Sequence, residues 1–112
     1  MSLIKTLNQE RASFVLGKVK KVKDKDKYKR NARKLPSLIT SNGLILTLAF
    51  FKSKEETKPV YDTVNEWLKK KGYIRDDALE ELINSDFLKL RLATIEILEF
   101  ANWLKRIVEI EL

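Results

Sequence analysis

The sequence contains neither cysteine nor histidine. Without cysteine there is no disulfide framework, and the two absences together exclude most zinc sites. They also exclude a cysteine nucleophile and a histidine general base. We therefore expect a chain that is not an enzyme and that needs no cofactor.

Long apolar runs are also missing. The longest, Leu44 to Phe51, is interrupted by Thr47 and is far shorter than the roughly 18 residues that a membrane helix needs. The first residues, MSLIKTLNQERASF, carry charge too early and lack the apolar region of a signal peptide. We expect a cytoplasmic protein with no membrane partner.

Positive charge is abundant and unevenly placed. The formal net charge is +7 over 112 residues, of which 44% are hydrophobic, as suits a single globular domain spanning 1–112. Residues 1–34 contain 12 Lys and Arg against 3 Asp and Glu, whereas residues 35–112 contain 11 against 13. This asymmetry indicates a polyanionic partner.

Apolar residues recur at helical spacing along most of the chain. The pattern predicts an amphipathic helix over 3–23, a helix from Pro59 that Gly72 closes, and a short helix opened by a capping box at Asp77 to Glu80. Over 87–110 apolar residues point nearly all round, which is typical of a central helix. The prediction is an all-α fold, a compact bundle of about five to six helices in a single domain.

Asn42-Gly43 lies between two apolar runs, which is a strong signal for a β-hairpin. The flanking pairs Leu38-Ile39 and Leu44-Ile45, however, break the alternation of a strand. We favour one helix ending near Thr40, a tight junction, and a new helix from about Leu44. The hairpin stays as the alternative.

Residues 18–34 hold ten basic residues against Asp24 and Asp26. Within them, the charge-dense segment 23–34 is either a mobile loop or the polar start of a second helix. Pro36 requires that this helix be bent or begin near it. Lysine density of this kind suits contacts to nucleic-acid phosphates, and Tyr28 is placed to stack on a base. The candidate nucleic-acid-binding residues are Lys18, Lys20, Lys21, Lys23, Lys25, Lys27, Lys29, Arg30, Arg33 and Lys34.

Three further groups of residues have structural explanations. The first is an acidic set, comprising Asp76, Asp77, Glu80, Glu81 and Asp86. These carboxylates could bind Mg²⁺, but the acidic charge that helix N-termini ordinarily carry explains them better. The aromatic residues at helical spacing are expected in the core; they are Trp67, Trp103, Phe50, Phe51, Phe87 and Phe100. Arg91 and Glu96, on a mostly apolar helix, suggest buried or interface ion pairs.

Three stretches resemble the small subunit of the type III-B (Cmr) CRISPR RNA-silencing complex. They are KLPSLITSNGLILTLAFFKSK at 34–54, INSDFLKLRLATIEILEFANWLKR at 83–106, and ERASFVLGKVKKVK at 10–23. The sequence departs from that family at Ile45-Leu46, where a polar residue is expected before Thr47. The departure bears on any polar contact made at that position.

The resemblance implies a non-catalytic helical subunit with defined partners. Copies would stack on neighbouring copies beside a filament of backbone subunits, in a complex with large subunits, and would line the groove that holds guide RNA and target RNA. A small DNA-binding helical regulator remains the alternative, although its recognition helix would need exposed Arg, Asn or Gln. A metal-dependent nuclease would rest on the acidic set alone.

Overall fold

Helices form all the regular structure of the computed structural model, which describes residues 4–112. Within this range there is no strand, so the all-α prediction is confirmed and the hairpin at Asn42-Gly43 is wrong. The elements are α1 (Leu7–Val19), α2 (Lys25–Asn42), α3 (Leu44–Ser53), α4 (Lys58–Lys70), α5 (Ala78–Ile83) and α6 (Phe87–Glu111).

Side-chain caps determine where four of these helices begin. Thr6, Asp24, Asp77 and Asp86 each accept a hydrogen bond from the backbone N–H three residues later, at 2.8 to 3.2 Å. Each bond satisfies one of the N–H groups that a helix start leaves without a partner. Helix α1, at Leu7–Val19, is therefore shorter than the helix predicted over 3–23. Position 3 of that prediction lies outside the described residues.

The junction between α2 and α3 is a single residue. Gly43 has φ 83° and ψ 164°, its N–H donates to the Ile39 carbonyl at 2.8 Å, and its own carbonyl accepts from Thr47 N–H at 3.3 Å. A non-glycine L-residue rarely adopts this conformation. Gly43 thus ends one helix and starts the next without a loop, as the helix–junction–helix interpretation predicts.

Residues 25–34 of the charge-dense segment form the first turns of α2, with Asp24 as the cap, so of the two predicted alternatives the helical one is correct. Pro36 lies inside this helix, and a helix that begins near Pro36 is therefore wrong. Proline has no N–H, so α2 lacks one backbone donor at this point. The basic residues from Lys25 to Lys34 consequently stand on a regular helix, with fixed directions relative to its buried face.

The core lies where α2 and α1 pack on α6, with α3, α4 and α5 closing the other sides. Trp67 stacks on Phe100 with ring centroids 5.1 Å apart, and both are fully buried, as is Phe51. Phe50 and Phe87, by contrast, are 40% and 77% exposed, so their predicted core placement is wrong.

Geometry explains these errors. Phe50 is adjacent to Phe51, and neighbours on a helix point about 100° apart, so only one of them faces the core. Phe87 occupies the first position of α6, at an end of the helix that other elements leave exposed. Trp103, also predicted for the core, is half-buried and donates from Nε1 to Asn8 Oδ1 at 3.1 Å.

Candidate nucleic-acid interface

The buried face of α2 decides which way its basic side chains point. Tyr28, Ala32, Leu35 and Ile39 recur at intervals of three and four residues and are all buried. The basic residues between them are therefore turned outward or sideways. The structure divides most of the ten predicted residues between two grooves; Lys20 and Lys25 are exposed but line neither of them.

The first group, which we call the outer groove, runs along the exposed side of α2 and reaches α6. It encloses about 620 Å³. Five of its side chains are positive and one is negative, so the groove carries strong positive charge. Its lining residues are Asp26, Lys29, Arg30, Arg33, Lys34, Ser37 and Lys105.

Lys105 was not among the residues predicted from the sequence. It stands on α6, far from the basic cluster along the chain, and joins the groove because α6 packs against α2. No sequence signal marks it, because its proximity depends on how the two helices are aligned. Nearby, Arg33 Nε lies 3.5 Å from Glu109 Oε2, an ion pair that links α2 to α6 at the rim.

The second group, which we call the turn groove, lies between the α1–α2 turn and α4. It encloses about 790 Å³, and its five lysines face five carboxylates. Lys18 forms an ion pair with Glu66, and Lys27 lies 3.9 Å from Asp24. The local charges therefore largely cancel. The charged lining residues are Lys18, Lys21, Lys23, Lys27, Lys54, Asp24, Glu55, Glu56, Asp62 and Glu66.

Tyr28 is not available for stacking on a base. Its ring is buried, and its hydroxyl and that of Thr63 share a hydrogen bond of 2.7 Å. Burial raises the pKa of Tyr28 to about 12. The stacking prediction is wrong because Tyr28 falls on the same helical face as Ala32 and Leu35, which is the face that packs against the core.

Three members of the acidic set, Asp77, Glu81 and Asp86, bind backbone N–H groups at or just before helix starts. Asp77 accepts from the Tyr61 hydroxyl at 2.6 Å and from Lys52 Nζ at 2.9 Å, while Glu81 accepts three backbone N–H bonds of 2.7 to 2.8 Å. Burial would raise the pKa of Asp77, but the bonds from Tyr61 and Lys52 outweigh it and lower that pKa. Among residues 4–112 no group of such side chains has a metal-binding arrangement.

A buried ion pair joins α1 to α6. Arg11 donates to the two carboxylate oxygens of Glu96 at 2.8 and 2.7 Å, and Trp67 Nε1 donates to the same carboxylate at 2.9 Å. The expectation of a buried pair is thus confirmed for Glu96. Arg91 is exposed and makes no ion pair within the part of the chain that the structure describes.

Comparisons with known proteins bear on this arrangement. A sequence model of the CRISPR-associated protein family Cas_Cmr5 matches residues 7–111. The CRISPR system Cmr subunit Cmr5 of Thermotoga maritima is 38% identical over 112 residues, which is 96% of this chain and 85% of that protein. A crystal structure of a Cmr5 family protein from Thermus thermophilus matches with a TM-score of 0.83 at 29% identity, covering 95% of this chain and 97% of that one. In residues 4–112 no helix is long and apolar enough to cross a membrane.

Proposed function

The chain belongs to the Cas_Cmr5 family of CRISPR-associated proteins, and from that membership we propose that it is a non-catalytic small subunit of a type III-B CRISPR ribonucleoprotein. It works beside the backbone and large subunits of that complex, in the cytoplasm, in defence against foreign nucleic acid. Its copies stack along the backbone filament, and their basic surfaces support the guide RNA–target RNA duplex.

One observation supports the RNA contact most strongly, namely the outer groove. Lys29, Arg30, Lys34 and Lys105 form none of the ion pairs within residues 4–112, so their charges are available to phosphates. Such contacts fix position and carry no sequence information. The base sequence is then read by pairing between guide and target, and the subunit adds charge and support.

All ten residues predicted from the sequence remain candidates, but the geometry ranks them. The outer groove is lined by one carboxylate and five cations, with Glu109 paired to Arg33 at its rim, whereas the turn groove has five carboxylates and five cations. Nearby carboxylates weaken the attraction for a phosphate because they oppose its charge. We assign the main phosphate contacts to the outer groove and secondary ones to the remaining six residues, which are Lys18, Lys20, Lys21, Lys23, Lys25 and Lys27.

A DNA-binding regulator fits the surface less well. The helix that follows the tight junction after α2 would be the recognition helix of a helix-turn-helix unit, and it needs polar side chains facing outward. Instead α3 exposes Leu46 and Phe50. Its outer face is therefore unsuited to reading base edges.

The test uses two matched triple variants in the reconstituted complex. Reversing Arg30, Lys34 and Lys105 to Glu changes the outer groove, and reversing Lys21, Lys23 and Lys27 to Glu makes the same charge change in the turn groove. If the outer groove supplies about three phosphate contacts, its variant should lower target-RNA affinity and flatten the log–log salt slope by roughly 2. The turn-groove variant should have a smaller effect on both.

Affinity is measured over a salt series, with the thermal midpoint of each isolated variant as the folding control. Equal affinities and slopes for wild type and the outer-groove variant would contradict the RNA contact while leaving the subunit role intact. A larger loss from the turn-groove variant would place the contact there instead. The purified chain should not cleave RNA when Mg²⁺ or Mn²⁺ is supplied; cleavage abolished by Asp77→Asn would contradict the non-catalytic role.

A further inference from the structure

The outward side of α6 carries a continuous apolar row. Leu88, Leu92 and Ile95 are 62%, 48% and 51% exposed, and the half-buried Leu98 extends the row by almost one turn. Leu88, Leu92 and Ile95 are three or four residues apart and lie close to one line of the helix, with Leu98 at the edge of this line. A contiguous row of exposed apolar side chains is a candidate site for packing against another protein surface. We call this row the α6 strip.

Two opposite charges flank the strip symmetrically. Arg91 lies four residues before Ile95, and Glu99 lies four residues after it. Both side chains are exposed. Within residues 4–112 neither forms an ion pair. The strip therefore presents a positive side chain towards one end and a negative one towards the other.

We propose that two copies of the free chain pair antiparallel through the α6 strip, about a two-fold axis at Ile95. In this arrangement a residue before Ile95 lies level with the residue equally far after Ile95 in the other copy. Leu92 then packs beside Leu98, and Arg91 lies beside Glu99, each contact occurring twice. A parallel pairing would set Arg91 against Arg91 and Glu99 against Glu99, so the charges select the antiparallel direction.

The contact is small, which sets its expected strength. From Leu88 to Leu98 the strip spans about 15 Å at about 1.5 Å per residue, and a standard interface buries roughly 800 Å² on each partner. One helix strip supplies less than that, so we expect a dissociation constant on the order of 10 to 100 µM. This pairing goes beyond the proposed function. A two-fold contact closes on itself, so the dimer is separate from any open stack of copies.

Charge exchange tests both the partner and the direction. In sedimentation equilibrium of the purified chain without RNA, Arg91→Glu and Glu99→Arg should each weaken the dimer about five- to tenfold, because two attractions become two repulsions. The double variant should restore the wild-type constant. A double variant as weak as the single ones, or a chain that stays monomeric throughout a concentration series around the expected constant, would overturn the proposal. So would an Ile95→Glu variant that dimerises like wild type.

A crosslinking experiment tests the position of the axis. The chain has no cysteine, so Ile95→Cys introduces one thiol, which meets its own copy at the two-fold axis within the range of a disulfide. Mild oxidation should link this variant as a dimer at protein concentrations where Ser41→Cys, an exposed position on α2, stays largely unlinked. Equal rates for the two variants would overturn the proposed axis.

Discussion

Helices α2 and α6 pack against each other more extensively than any other pair, yet they expose different surfaces. The outward side of α2 carries Lys and Arg in the outer groove, whereas the outward side of α6 carries the apolar α6 strip. Their buried sides are alike in being mostly aliphatic and aromatic, with one buried polar residue on each, Asn31 on α2 and Glu96 on α6. The two helices therefore contribute to one core in the same way but offer different outer surfaces. The basic side of α2 suits a polyanion, and the apolar side of α6 suits another protein surface.

The largest effect on stability should come from truncating a buried aromatic residue of α6, in contrast to an exposed aromatic residue on the same helix. Phe100 is fully buried against Trp67, so Phe100→Ala should lower the free energy of unfolding by about 3–5 kcal/mol. Phe87 is mostly exposed, and Phe87→Ala should change it by less than about 0.5 kcal/mol. Urea denaturation of both variants measures the difference.

A comparable cost for the two substitutions would mean that the first turn of α6 is packed in solution, and the contrast between its first turn and its middle would disappear. Trp103→Ala provides an intermediate case. Complete burial of this ring would predict a cost of about 3–5 kcal/mol, but its half-buried position predicts a smaller one.

The next largest effect should come from the charge that α6 buries. Glu96→Gln leaves the Arg11 guanidinium buried with no anionic partner, and should destabilise the chain by about 2–4 kcal/mol. Glu99→Gln, an exposed carboxylate one turn later, is the matched control and should cost well under about 1 kcal/mol. If both cost the same, the Arg11–Glu96 pair contributes no more than a surface charge.

Acid titration tests the same pair in another way. Burial would raise the pKa of Glu96, but hydrogen bonds from Arg11 and Trp67 outweigh burial and lower it. Its stabilising contribution is therefore complete above the pKa of the unfolded chain and is lost as the pH falls through the lower folded pKa. The difference in thermal midpoint between wild type and Glu96→Gln should shrink on acidification; a constant difference would contradict this.

The smallest effect on stability should come from removing the exposed ion pair that links α2 to α6. Arg33 and Glu109 are 3.5 Å apart and partly solvent-exposed, so Arg33→Ala should cost less than about 1 kcal/mol. The same substitution removes a cation from the outer groove and should lower the target-RNA affinity of the assembled complex. Arg33→Lys keeps the charge and should retain most of that affinity; a loss as large as that of Arg33→Ala would indicate that guanidinium geometry matters rather than charge.

Much of the fold could be predicted from the sequence because its signals are local. Helical spacing, the Asp77 cap and the Asn42-Gly43 junction each depend on residues a few positions apart, and the structure confirms all three. The candidate site was predicted only in outline. Counting charges found the basic cluster, but the direction of Tyr28 and the presence of Lys105 depend on how α2 packs on distant helices.

At the Gly43 junction, the stability of the fold should depend on the chirality of a single Cα atom. A Cβ added there would meet no other atom within 4 Å, so space does not forbid a side chain; only the backbone conformation does. An L-alanine at this position should therefore cost about 1–3 kcal/mol of strain. A D-alanine, for which the same conformation is an ordinary extended one, should fit without strain and stabilise the fold by roughly 0.4–1 kcal/mol through the unfolded chain. Chemical synthesis of the two mirror-related variants would separate the stereochemical requirement at this corner from any requirement for size.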